Sequence, residues 1–385
     1  MKPFDVEELL SAARQRTGLS DFGPPDFMEG LNSLVSAINT EARIADNRRD
    51  ALYERFMRLL TNRLWFAKDV ADHPEILDED VGSPIIISCL PRTASSKLHR
   101  MLGASGDFQF VPMWQGHNFA RIPGLPDGGR EKRITEGRAY EKWMYETSPA
   151  TLQGHAMFTK EPEEDILLGE FTLRHTMLVG LFDTPSYAQW VMQADSKPTY
   201  DYLQQQIKYL QWQASPHTNK PWLMKTPCHF GNESQLQRIY KKPRFIITHR
   251  DPARCMPSII GVAVNMCKLY SDHHSDASVG AGVSQLFAQS AFAHMKWREQ
   301  ADDAQILDLG YDEINRKGMD TMQKVYDYFG MTLSARAEAA MQKWEQINFA
   351  GKHSHGSYSA EAINTTEREI RETFRPYMER FSEFM

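Results

Sequence analysis

Residues Pro84 to His99 read PIIISCLPRTASSKLH: an apolar run of strand length, a turn, and the start of a helical stretch, SSKLHRMLG. A strand that feeds a helix through a short loop favours anions. The free N–H groups of the first helical turn and the helix dipole both point at whatever occupies the loop. Hydroxyls of Thr93, Ser95 and Ser96 add donors there, and Arg92 adds a permanent cation. The segment is not a Walker A loop, which requires a serine or threonine directly after its lysine, because Lys97 is followed by Leu98. Taken alone, it is equally well read as a polar helix cap.

Further along, RFIITHRDPARCMPS repeats the pattern, with Arg250 at the end of a predicted strand and Ser258 in the second turn of the following helix. Asp251 suits a cap and Pro252 the first helical position. Apolar runs in PWLMK, RFIITH and AQILDLG alternate with helical stretches such as NESQLQRIY and PARCMPSIIGVAVNMCKLY. That alternation predicts an α/β fold: a P-loop-type parallel sheet flanked by helices, with helical N-terminal and lid additions. In such a sheet both anion-binding loops open on one edge and flank a single crevice.

The residues up to about 80 carry apolar side chains at three- and four-residue steps and predict a helical N-terminal extension. The main domain is expected over 81–385. A Pro-, Gly- and aromatic-rich segment around 106–217 is read as a helical insertion that builds a pocket. The C-terminal part reads as helical apart from the polar loop GKHSHGSYS.

Apolar residues make up 41% of the chain and charged residues 24%, as in an ordinary globular protein. The formal charge of −6, from 44 basic and 50 acidic residues without long blocks of one sign, gives no reason to expect nucleic acid or an anionic membrane as partner. The first residues, MKPFDVEELL, do not read as a secretory signal, and no apolar stretch is long enough to span a bilayer. Cys89, Cys228, Cys255 and Cys267 lie far apart without CxxC spacing, which fits reduced thiols and a cytoplasmic location. His273 with His274 and His353 with His355 lack acidic partners at ligand-like spacing, so no metal is expected.

In these segments the chain resembles the sulfotransferases that use 3′-phosphoadenosine 5′-phosphosulfate (PAPS), in particular their bacterial branch. PIIISCLPRTASSKLH is similar to the family's 5′-phosphosulfate loop, usually PRTGTTLLH, and HRDPARCMPS to its 3′-phosphate motif. TGLSDFG, EPEED, WLMKTPCHF and HGSYSAEAI also look like bacterial members, in the same order. The resemblance implies that Arg92, Thr93, Ala94, Ser95, Ser96 and Lys97 surround the 5′-phosphosulfate and that Arg250 and Ser258 hold the 3′-phosphate. It places Lys225 near the sulfonyl group. Lys352 is a further 3′-phosphate candidate, or simply a solvated surface lysine.

The implied reaction is in-line displacement at sulfur by a hydroxyl or amine of a small acceptor, with side-chain cations in place of a metal. Histidine titrates near neutrality, so His229 is the first candidate for general base, then His117, then Glu163 and Glu164. Many bacterial members carry a glutamate where this chain has Gln115, which cannot take up a proton. Ala94 stands where the loop usually has glycine, and Lys97 where it usually has an apolar residue. These departures leave a catalytically silent nucleotide-binding protein as one alternative, and a P-loop kinase as a weaker one. The 19 Met and eight Trp residues either fill the core or line an apolar pocket for lipophilic alcohols or phenols.

Overall fold

The computed structural model describes residues 2–214, 219–348 and 365–385. Its centre is a four-stranded, wholly parallel sheet formed by β1 (Ile85–Cys89), β2 (Leu223–Lys225), β3 (Arg244–His249) and β4 (Ile306–Gly310), in the spatial order β2-β1-β3-β4. All four coincide with the apolar runs that predicted them. Each is short because its run is short. All the residues of β1 and β2 are buried, as a strand covered on both faces requires.

Alternate side chains of β1 face different cores. Ile86 joins a large cluster that includes Ile247 of β3, while Ile85 and Ile87 join a smaller one with Leu98, Met322 and Met341. The large cluster also takes in Leu9, Leu31 and Phe56 from the N-terminal helices Val6–Thr17, Phe27–Thr40 and Arg49–Asp72. These helices therefore share the core of the main body. Gly30 shows how closely: a Cβ there would lie 2.0 Å from the carbonyl oxygen of Leu173.

The sheet order fixes where a ligand can enter. The chain leaves β1 for β2 on one side and then crosses to β3 on the other, so the loops after β1 and β3 diverge and open a crevice between them. Cys89 lies beside Thr248, so β1 and β3 end side by side, while β2 ends at Lys225 opposite Ile87, two residues short of the end of β1. Among the described residues no helix is long and apolar enough to cross a membrane.

Candidate active site

The loop after β1 is held in an unusual backbone conformation. Arg92 and Ala94 both have positive φ, 67° and 66°, and the Ser95–Ala104 helix follows with no side chain capping its first N–H groups. Left-handed backbone is most easily adopted by glycine, which explains why Ala94 is the position where the related loops carry it. The turn aims the helix N-terminus at the crevice. An anion there would meet both the first N–H groups of the helix and the positive end of its dipole.

Side chains from three strand ends converge on this loop. Arg92 donates through Nε to Ser258 Oγ at 3.0 Å and through Nη1 to the carbonyl of Gly154. Arg250 donates to the Arg92 carbonyl at 3.0 Å, with its guanidinium 3.7 Å from the centre of the Tyr311 ring. Ser258 sits on the Pro252–Cys267 helix, whose N-terminus is capped by Asp251 accepting from the Ala253 N–H at 2.8 Å. From the end of β2, Lys225 Nζ donates to Ser96 Oγ at 3.1 Å and to the Glu164 carboxylate. Arg92, Arg250, the buried Lys225 and Ser96 thus line one crevice at the helix N-terminus, with Ser258 adjoining it through Arg92. That donor set fits a ligand carrying several anionic groups.

Lys97 is buried and lines the cavity, but its ammonium group is engaged by Glu345 at 2.7 Å and the Asn315 carbonyl at 3.3 Å. Thr93 turns away from the crevice. Its hydroxyl donates to the Leu90 carbonyl at 2.9 Å and lies 2.6 Å from Thr248 Oγ1, tying the ends of β1 and β3 together. Lys352 and the pair His353 and His355 lie outside the described residues. Among the described residues no cluster of His, Cys, Asp and Glu is arranged to hold a metal, and His274 instead pairs with Asp276 at 2.9 Å.

The histidines are rearranged relative to expectation. His229 is buried between Asp165, 2.7 Å from its Nε2, and the Tyr200 hydroxyl, 3.2 Å from its Nδ1, and its ring does not reach the cavity. His117 lies behind the cavity wall, stacked on Tyr140 with centroids 4.3 Å apart. Burial, together with Arg58 and Arg55, pushes its pKa well below the ordinary range.

The histidine that does line the cavity is His155, which the sequence reading passed over. Its Nε2 lies 2.7 Å from Glu163 Oε1 and its Nδ1 3.7 Å from Glu164 Oε1. Glu163 is itself fixed: it accepts from the Glu164 N–H at 2.8 Å and lies 3.4 Å from Arg100. Burial pushes its pKa up, but His155, Arg100 and that N–H outweigh burial and hold it below the usual carboxylate range. An ionised Glu163 can only accept, so Nε2 of His155 donates to it and Nδ1 is the ring nitrogen left for another partner. His155 follows a short helix, Pro149–Gly154, far in sequence from both loops, so no local motif marks it. The nearest signal was Glu163 and Glu164 themselves, two acids preceding a helical stretch.

These groups occupy one end of a cavity of about 630 Å3, whose remaining wall is largely apolar. Among curated proteins the chain finds no match in sequence. Two solved structures are similar along nearly its whole length. The crystal structure of sulfotransferase STF1 from Mycobacterium tuberculosis H37Rv matches with a TM-score of 0.80 at 25% identity, over 97% of this chain and 99% of that one. That of sulfotransferase STF9 from Mycobacterium avium shares the fold with a TM-score of 0.87 at 23% identity, over 99% and 98%. The Sulfotransferase family profile matches residues 84–335, which include all four strands and the loops that follow β1 and β3. On that match, which spans well over half of its length, the chain belongs to the sulfotransferase family.

Proposed function

We propose that this protein transfers a sulfonate group from PAPS to a hydroxyl of a small acceptor, in the crevice between the ends of β1 and β3. The observation that carries the reading is the convergence of Arg92, Arg250, Ser258 and Lys225 on one uncapped helix N-terminus. Arg250 and Ser258 would hold the 3′-phosphate, and Ser96 with the Ser95 and Ser96 N–H groups the 5′-phosphosulfate. The bond from Arg92 to Ser258 supports this reading, since it would link the two subsites.

In the step proposed, the acceptor oxygen forms a bond to sulfur while the bond from sulfur to the bridging phosphate oxygen breaks. The electron pair leaves with adenosine 3′,5′-bisphosphate. His155 takes the acceptor proton on Nδ1, oriented by Glu163, and this base replaces His229 and His117 as the candidate. Lys225 stabilises charge on the oxygens around sulfur, and Glu164 moves off Lys225 when those oxygens take its place. Thr93 acts by bracing the loop. The cations at sulfur are side chains, so magnesium has no role in the proposed step.

The test is titration with adenosine 3′,5′-bisphosphate by calorimetry, without magnesium, beside ADP and an Arg250→Ala variant. Tight binding that ADP does not match and the variant loses is the expected result. Equal binding of ADP, or none of either nucleotide, overturns the donor assignment.

A further inference from the structure

From the apolar limb of the cavity we infer the acceptor class: a flexible, unbranched alkyl chain ending in a single hydroxyl. The inference rests on the sulfonate-transfer reading for the fate of that hydroxyl, but the binding it requires is independent. Ile259, Val262, Ala263 and Met266 all line the cavity. They fall on one face of the Pro252–Cys267 helix, at the spacing of successive turns. The stripe begins one residue beyond Ser258, at the charged end, and runs about 10 Å along the helix axis, the length of an extended chain of about eight methylenes. Val283 and Phe287, one turn apart on the Asp276–Arg298 helix, line the same limb.

The limb has mainly the chemistry of an alkyl site, with few polar groups for a sugar. Its two threonines are already engaged: the hydroxyl of Thr151 lies 2.7 Å from Ser148 Oγ and that of Thr176 donates to Cys228 Sγ at 3.0 Å. A polyhydroxylated acceptor would find few partners on this wall, chiefly the Tyr140 hydroxyl and the remaining lone pairs of the two threonines, and would bury most of its hydroxyls unpaired. Met144, Met157 and Met177 supply unbranched, adaptable side chains that conform to a flexible chain. At the charged end of the cavity, Lys225 and His155 line the wall where the chain's hydroxyl would stop.

The experiment is calorimetric titration of the full chain, with saturating adenosine 3′,5′-bisphosphate, by the straight-chain alcohols butanol, hexanol, octanol and dodecanol. Affinity is expected to rise about three- to fourfold per methylene up to octanol and to level off beyond it. Ala263→Phe and, on the facing helix, Val283→Phe shorten the limb. Each is expected to weaken octanol at least about tenfold while leaving butanol and the nucleotide unchanged. Octanol that binds no tighter than butanol, or a chain-length series unaltered in both variants that still bind nucleotide, overturns the inference. Loss of nucleotide binding with the alcohol series intact would instead remove the donor assignment and leave the alkyl site standing.

Discussion

Replacing Lys225 by methionine separates the structural from the proposed chemical role of the ion pair beneath the loop after β1. The lysine side chain is 2% exposed and Glu164 12%. Removing the ammonium group strands a mostly buried carboxylate, a change that typically costs about 3–5 kcal/mol. His155 Nδ1 remains 3.7 Å from Glu164 and the carboxylate keeps some water, so the expected loss is at the lower end, about 3 kcal/mol. Adding Glu164→Gln removes the stranded charge and is expected to return all but about 1 kcal/mol. Catalysis is not returned, because the donor to the developing oxyanion is still missing. Both the single and the double variant should lose on the order of 10²-fold or more in turnover. Urea denaturation gives the stabilities, and transfer of labelled sulfonate to an acceptor that the unaltered protein uses gives the rates. A double variant as unstable as the single one, or a single variant with undiminished transfer, would refute the assignment of Lys225.

His155→Gln is expected to lower the turnover number by about 10²- to 10⁴-fold without changing bisphosphate affinity, and to flatten the acid limb of the pH–rate profile. Single-turnover measurements across pH check both; an unchanged acid limb would point to another base. Ala94→Gly removes a left-handed cost of about 1–2 kcal/mol against a glycine entropy cost of about 0.5–1 kcal/mol. Denaturant midpoints should therefore show a small gain for this variant, and a loss would mean that the methyl group is doing something useful. Burial, and then Lys225, push the pKa of His99 down to about 3. Its folded pKa thus lies below its unfolded value of about 6.5. The contribution of neutral His99 is complete above pH ~6.5 and falls by about 1.4 kcal/mol per unit as the pH drops towards about 3, because the unfolded chain binds the proton first. Chemical denaturation at pH 7 and pH 5 should show this slope, reduced in His99→Gln; stability that is flat over that range would exclude it.

Much of the fold was legible in local sequence. The runs IIISC, LMK, RFIITH and ILDLG were recognised because a parallel strand buried on both faces must be apolar along its length, whatever its neighbours are. The loop residues Arg92, Ser96 and Arg250 were legible for a related reason, since a strand, a tight loop and a helix N-terminus form an anion site from consecutive residues. Other features had no local signature. Thr93 looks like a phosphate ligand in sequence, yet its hydroxyl braces β1 against β3, because only the strand register places it beside Thr248. Lys97 could not be assigned a partner, since Glu345 is distant in sequence.

Histidine makes the division plainest. His229 and His117 had attractive sequence contexts, but Asp165, Tyr200 and Tyr140 enclose them, whereas His155 gains its orientation from Glu163 across a turn. The sequence by itself determined the sheet and the two strand–loop–helix turns at its edge, because those depend on hydrophobic runs and on contiguous backbone. Only the tertiary structure decided which titratable groups face the cavity and how long its apolar limb is. Both depend on side chains brought together from distant helices, where packing, rather than local spacing, sets burial and hydrogen-bond partners.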